Sequence, residues 1–204
     1  MKEHEKPVVA AFDFDGTITK WDTFKFFLFY SSSFSRFLIN SLVLFPKTLS
    51  YFFKRVDRQT LKEAYITRFF GGMAIEDFRL LGQDFAAKKL PKLVKPEAVE
   101  RIRWHQKQGH RCVLVSASID IYLVPWTHSM DFEQAITSLV EVNNGRITGR
   151  LQGKNCRGPE KVRRLIEAVG PRDSYSLYAY GDSDGDKELL ESADFPFYRR
   201  MSDG

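Results

Sequence analysis

Two aspartates stand two positions apart at the end of an apolar run, Val8-Val9-Ala10-Ala11-Phe12-Asp13-Phe14-Asp15-Gly16-Thr17. In extended backbone, residues two apart point the same way, so Asp13 and Asp15 share a face. Carboxylates brought together repel, and burying them is costly unless a cation or a proton compensates. The pair therefore reads as a site, with an Asx turn closed by Gly16 as the structural alternative. Three further groups recur at comparable places. Ser116 follows the apolar stretch Arg111-Cys112-Val113-Leu114-Val115, Lys161 lies in Gly158-Pro159-Glu160-Lys161, and Asp182 and Asp186 lie in Gly181-Asp182-Ser183-Asp184-Gly185-Asp186. Acidic groups converging on one point suit Mg²⁺, which prefers carboxylate, carbonyl and water oxygens. A lysine and a hydroxyl beside that cation suit the oxygens of a phosphoryl group. One carboxylate can take the phosphoryl group as an acyl phosphate, while the other protonates the leaving alkoxide and then deprotonates water.

Such a set needs a scaffold that brings distant strand ends together. The run 8–12 is apolar, partly β-branched and broken by Asp and Gly, the pattern of a buried parallel strand with a site beyond its carboxyl end. Residues 111–115 and 175–180 read as two more buried strands and 195–199 as a short edge strand. Helices are expected over 97–108, from 119, over 159–169 with Pro159 in the first turn, and over 187–192. Asn143-Asn144-Gly145 between 139–142 and 146–151 predicts a β-hairpin. The fold class expected is α/β, a Rossmann-like parallel sheet with helices on both faces. Residues 21–94 fall between the first strand and the rest. They read as an inserted α-helical cap domain on a core domain formed by 1–20 and 95–204.

That insertion begins with an unusual block. Residues 21–53 hold twelve aromatics and only four charged residues, Asp22, Lys25, Arg36 and Lys47. Phe24, Phe27, Leu28, Phe34, Phe37, Leu38, Ser41 and Leu42 recur near helical spacing. No run of ~20 apolar residues exists, so a transmembrane span is not expected. The block reads either as the interior of a small helical domain, or as a greasy pocket or surface for an apolar ligand or membrane. Lys54, Arg55, Arg58 and Lys62 follow it, an arrangement that suits an anionic membrane surface or a solvated helix face. Helices are expected over 57–70 and 75–90.

The chain has 204 residues, 43% hydrophobic and 28% charged, enough for one core or a core plus a small second domain. Two cysteines, Cys112 and Cys156, make no disulfide framework and point to a reducing compartment. Residues 1–6 carry no secretory segment, so the expected location is the cytoplasm, with peripheral contact at the inner membrane face. A net charge of +5 favours acidic partners. No nucleic-acid-binding motif is present, and nucleic acid is not an expected partner.

In order and spacing, the four motifs resemble those of the haloacid dehalogenase superfamily, in the subgroup similar to phosphoserine phosphatase. The hairpin segment Asn144-Gly145-Arg146-Ile147-Thr148-Gly149 is similar too. The resemblance implies that Asp13 is the phosphorylated nucleophile and Asp15 the general acid/base. It implies that Ser116 and Lys161 bind the phosphoryl oxygens. Asp13, Asp182 and the backbone carbonyl of Asp15 would hold Mg²⁺, with Asp186 holding a metal-bound water or orienting Lys161. An aspartate at position 15 points away from dehalogenase chemistry, which has no leaving oxygen to protonate. In phosphoserine phosphatases an acidic residue nine positions past the nucleophile reads the serine ammonium. Asp22 stands there, where it could equally cap a helix. Lys62 stands near the place of a carboxylate-binding arginine and lacks its fork, a departure from phosphoserine recognition. The bacterial phosphatidylglycerophosphatase C family is similar in motifs and in its greasy cap. The expected activity is thus a Mg²⁺-dependent phosphatase for a lipid phosphate such as phosphatidylglycerophosphate, or for a small phosphorylated metabolite. The alternatives are an amino-alcohol phosphatase, a scaffold that docks a partner through the aromatic block, and a receiver-like phospho-switch.

Overall fold

The computed structural model describes residues 6–202; residues 1–5, where the sequence suggests no secretory segment, lie outside the described residues. The chain runs β1 (Val8–Phe12), α1 (Thr23–Tyr30), α2 (Phe34–Phe52), α3 (Arg58–Phe70), α4 (Ile75–Lys88), α5 (Pro96–Lys107) and β2 (Arg111–Ile119). It continues α6 (Asp120–Ser129), β3 (Gln134–Ser138), β4 (Val140–Asn143), β5 (Arg146–Leu151), α7 (Pro159–Val169), β6 (Ser176–Gly181), α8 (Lys187–Glu191) and β7 (Phe195–Tyr198). Five strands form one sheet in the order β3-β2-β1-β6-β7, every pair parallel.

The alternation along β1 divides the interior. Val9 and Ala11 pack on one face with Val113, Val115, Leu165 and Leu189, under α7 and α8. Ala10 and Phe12 pack on the other with Ile102, Leu123 and Tyr180, under α5 and α6. Burial of the central strand on both faces is what its unbroken apolar run requires. The second of these cores continues into the inserted helices. Phe27 meets Phe70 at 5.3 Å, Phe85 at 5.2 Å and Tyr122 of α6 at 5.1 Å between ring centroids. The insertion leaves and re-enters through adjacent segments, with Lys20 N–H donating to Leu93 O at 3.0 Å and Lys95 N–H to Ile18 O at 2.9 Å.

The hairpin forms at Asn144 and Gly145, both at positive φ, as its turn type requires. Two expectations need correction. Strand β3 was not anticipated, because Gln134-Ala135-Ile136-Thr137-Ser138 carries one large apolar side chain and sits at the sheet edge, where little burial is needed. Strand β2 does not stop at Val115 but runs through Ser116 and Ser118, and the next helix starts at Asp120 rather than Ile119.

The aromatic block divides between its two readings. In α1, Thr23, Phe27 and Leu28 are buried. Along the 19 residues of α2 only Asn40 and Leu44 are, so the reading of that helix as packed interior is overturned. None of the helices among the described residues is long and apolar enough to cross a membrane.

Candidate active site

Strand β1 delivers Asp13 to the carboxyl edge of the sheet, where its N–H donates to Tyr180 O at 2.9 Å. The chain then makes one wide turn over 14–18, in which Asp15 is extended and Gly16 adopts φ +82°. A Cβ at Gly16 would lie 2.2 Å from Asp182 Oδ2, so only glycine lets the loop after β6 close on the loop after β1. Asp182 is thereby brought to Asp13. Oxygens of Asp13, Asp182 and Asp186 all lie within 4.8 Å of one another.

The fully buried Lys161, from the first turn of α7, lies between two of them, 2.5 Å from Asp13 Oδ1 and 2.6 Å from Asp186 Oδ1. Thr17 Oγ1 donates to Asp13 Oδ2 at 3.0 Å. Asp186 Oδ2 accepts from Ser183 N–H at 3.1 Å and from the Ser183 hydroxyl at 2.9 Å. Both oxygens of Asp186 are therefore already occupied, whereas among the described residues the Asp182 carboxylate makes only a long 3.5 Å contact with Thr17. Burial pushes the Asp13 carboxyl up against the pull of Lys161, and burial with the Asp186 charge raises Asp182. Burial works against the charge of Asp186 as well, yet Lys161 and Ser183 hold it below the usual carboxylate range. One ammonium cannot balance this group. The surplus of hard, closely spaced carboxylate oxygens fits a divalent cation such as Mg²⁺.

Asp15 is held apart from that group. Its Oδ1 accepts from the N–H and the hydroxyl of Thr23, each at 2.6 Å, and its Oδ2 from the Ser118 hydroxyl. Burial, with the Asp22 charge adding to it, raises its pKa. A carboxyl held by hydroxyls and biased toward its protonated form is equipped to give and take a proton.

Both aspartates open into a cavity of about 670 Å³, which also reaches Ser116, Lys161, Asp182, Asp186 and Asp22. The seven residues expected from the sequence to react, bind phosphate, hold metal or read the substrate thus border one space. Ser116 accepts from Ser118 N–H at 3.1 Å, leaving its own hydroxyl proton to donate. Neither serine caps α6, which has no side-chain cap. Asp22 caps α1, accepting from Phe24 N–H at 3.1 Å, while bordering the cavity.

Two contributors, Ser118 and Thr23, are not singled out by the sequence, and a third, Lys62, makes contacts the sequence does not foretell. Ser118 stands two residues from Ser116 in strand β2 and so faces the same way. Thr23 carried no signal of its own. Lys62 reaches from α3 to the core, donating to Ala117 O at 2.5 Å and Asn155 Oδ1 at 2.7 Å. Burial brings its ammonium down to about 8, against the opposing charges of Asp15 and Asp22.

The family model of haloacid dehalogenase-like hydrolases matches residues 10–191. Protein CicA of Caulobacter vibrioides is 39% identical over 197 residues, covering 96% of this chain and 87% of that protein. A phosphoserine phosphatase of Archaeoglobus fulgidus is 26% identical over 99 residues, 47% of this chain and 28% of that one. A solved structure of a protein of unknown function from Bordetella pertussis Tohama I superposes with a TM-score of 0.82 at 20% identity, covering 95% of this chain and 90% of that one.

Proposed function

The chain belongs to the haloacid dehalogenase-like hydrolases, and we propose that within them it is a Mg²⁺-dependent phosphomonoester hydrolase working through an aspartyl phosphate on Asp13. The observation that carries this reading is that Asp13 and Asp15 open into one cavity while held by different partners, Lys161 and Thr17 against Thr23 and Ser118. Asp13 supplies the nucleophilic oxygen. Asp15 gives a proton to the leaving alkoxide and later takes one from the incoming water. Lys161 and Ser116 bind phosphoryl oxygens, with Lys161 offsetting charge on Asp13 and Asp186 holding Lys161 in place. Asp13, Asp182 and the Asp15 carbonyl would hold Mg²⁺, which when bound offsets charge on the phosphoryl oxygens. Residues 21–94 act as a cap domain over the core formed by 1–20 and 95–204, and close the cavity from above.

For the substrate, the cavity walls favour a phosphate ester with an apolar body. Away from the carboxylates the space is bounded by Phe24, Leu28, Phe37, Leu61 and Tyr65, a lining that suits a lipid phosphate such as phosphatidylglycerophosphate. Asp22 on the same cavity favours a second reading, a small amino-alcohol phosphate whose ammonium it would meet.

The test is phosphate release with and without Mg²⁺ across phosphatidylglycerophosphate, phosphoserine, phosphoethanolamine and an aryl phosphate, with Asp13→Asn protein as the blank. We expect Mg²⁺-dependent turnover that vanishes in the blank and is fastest for the lipid. Fastest turnover of phosphoethanolamine or phosphoserine would replace the lipid reading with the second one. No turnover above the blank would overturn the phosphatase reading and favour a scaffold.

A further inference from the structure

Helix α2 carries two apolar stripes and uses only one of them. Phe37, Ser41, Thr48 and Tyr51 border the cavity, and Leu44 between them is buried. The neighbouring stripe is Phe34, Leu38, Leu42, Phe45, Leu49 and Phe52, spaced by three or four residues and hence a continuous line along the helix. All six are exposed, Phe34 at 70%, Leu42 at 65%, Phe45 at 60% and Phe52 at 73%. A stripe of this length left in water is a liability unless something covers it.

Charge indicates what does. Between Asp22 and Asp57 the chain holds no carboxylate, while Lys25, Arg36, Lys47, Lys54 and Arg55 are all cationic. Among the described residues no carboxylate pairs with Lys47, Lys54 or Arg55, which stand at the C-terminal end of α2 and just beyond it. A second copy docked on the same stripe would offer these cations no carboxylate from residues 23–56. An anionic lipid surface meets both needs, acyl chains for the stripe and headgroups for the cations.

We propose that α2 lies in the interface of an anionic membrane, its exposed stripe at the acyl boundary and Lys54 and Arg55, just beyond its C-terminal end, among the headgroups. Phe52 belongs to the stripe and also borders the cavity of Asp13 and Asp15, so the cavity opens onto the docked face. The docking surface rests on α2 alone and stands or falls separately from the phosphatase reading.

The experiment is sedimentation of Asp13→Asn protein, which removes the proposed nucleophile, with vesicles of phosphatidylcholine alone or mixed with phosphatidylglycerol. Binding to the mixed vesicles is expected, weaker to the neutral ones, and reduced by high salt. A Leu38→Gln, Leu42→Gln, Phe45→Gln triple variant should bind about a hundredfold more weakly while melting at the same temperature. No binding to anionic vesicles overturns the proposal, as does equal binding by the triple variant. So does a concentration-dependent dimer that the triple variant dissolves, which would give the face to a second copy. A result in which vesicles bind and no substrate turns over removes the phosphatase reading and leaves the docking surface intact.

Discussion

Replacing Lys161 by Met tests the charge balance of the site through stability rather than through activity. The side chain is fully buried and lies 2.5 Å from Asp13 and 2.6 Å from Asp186, both buried themselves. Methionine fills similar space, so the change removes a charge with little loss of packing. Taking one partner from a buried ion pair costs about 3–5 kcal/mol, because the remaining charge loses its compensation. In a domain of this size each kcal/mol moves the melting temperature by about 2–4 °C, so the expected fall is roughly 6–20 °C.

The pH dependence identifies the cause. Without Lys161, burial raises both carboxyl groups above their unfolded values, so the folded variant binds more protons than the unfolded chain. Its stability is then greatest below the unfolded pKa and falls as pH rises through the folded one. Melting followed by scanning fluorimetry in the presence of a chelator should therefore show a loss that is larger at about pH 8 than at about pH 5. A loss equal at both pH values, or under about 2 °C at the higher one, would refute the reasoning.

Two further outcomes are expected. Gly16→Ala places a Cβ 2.2 Å from Asp182 Oδ2 at a φ of +82°. The backbone strain costs about 1–2 kcal/mol, and displacement of Asp182 should abolish the rise in melting temperature expected when Mg²⁺ is added to the unaltered protein; a retained rise would separate Asp182 from metal binding. His105 is completely buried, 2.8 Å from Tyr180 Oη, and its pKa is held down to about 3 by burial, with the neighbouring Arg101 adding to it. The unfolded chain then binds the extra proton, so stability is full above about pH 6.5 and falls by up to ~1.4 kcal/mol per pH unit below it. His105→Gln should flatten that fall between about pH 6.5 and pH 5, and an unchanged slope would remove His105 as its source.

The sheet and the site were readable for the same reason. A parallel strand buried on both faces has to be apolar throughout, and the residues that end it have to be polar enough to meet solvent or a ligand. That contrast is sharp at Phe12-Asp13 and again at Tyr180-Gly181-Asp182. At Val115-Ser116 the same contrast predicts the end of the strand, and there it misleads. Strand β2 continues through Ser116-Ala117-Ser118, its alternate hydroxyls facing the cavity, and this is how Ser118 reaches Asp15. Strand β3 was hidden because an edge strand has one neighbour and needs little burial. Lys62 is legible as a residue near the site but its partners are not, because nothing in a helix of mixed polarity tells which acceptors on another element a lysine will find, here Ala117 O and Asn155 Oδ1.

Helix α2 fails for a different reason, which bears on what the protein does. Helical periodicity locates a core face by contrast between an apolar stripe and a polar one. In α2 two adjacent stripes are apolar, so the spacing is consistent with Phe37-Ser41-Leu44 inward or with Leu38-Leu42-Phe45 inward, and only packing against α3 decides. That packing is anchored by small polar contacts rather than by bulk: Arg68 Nε donates to Asn40 Oδ1 at 2.8 Å, and Thr48 Oγ1 lies 3.0 Å from Tyr65 Oη. Asn40 and Thr48, polar residues within an apolar block, help fix its orientation. With Asn40 Oδ1 and Thr48 Oγ1 held by α3, the larger side chains of the other stripe are left facing outward. A helix that turns Phe37 and Leu44 inward with Asn40 and Thr48, and Phe34, Phe45 and Phe52 outward, has two apolar surroundings to satisfy, and the rest of this chain supplies one of them.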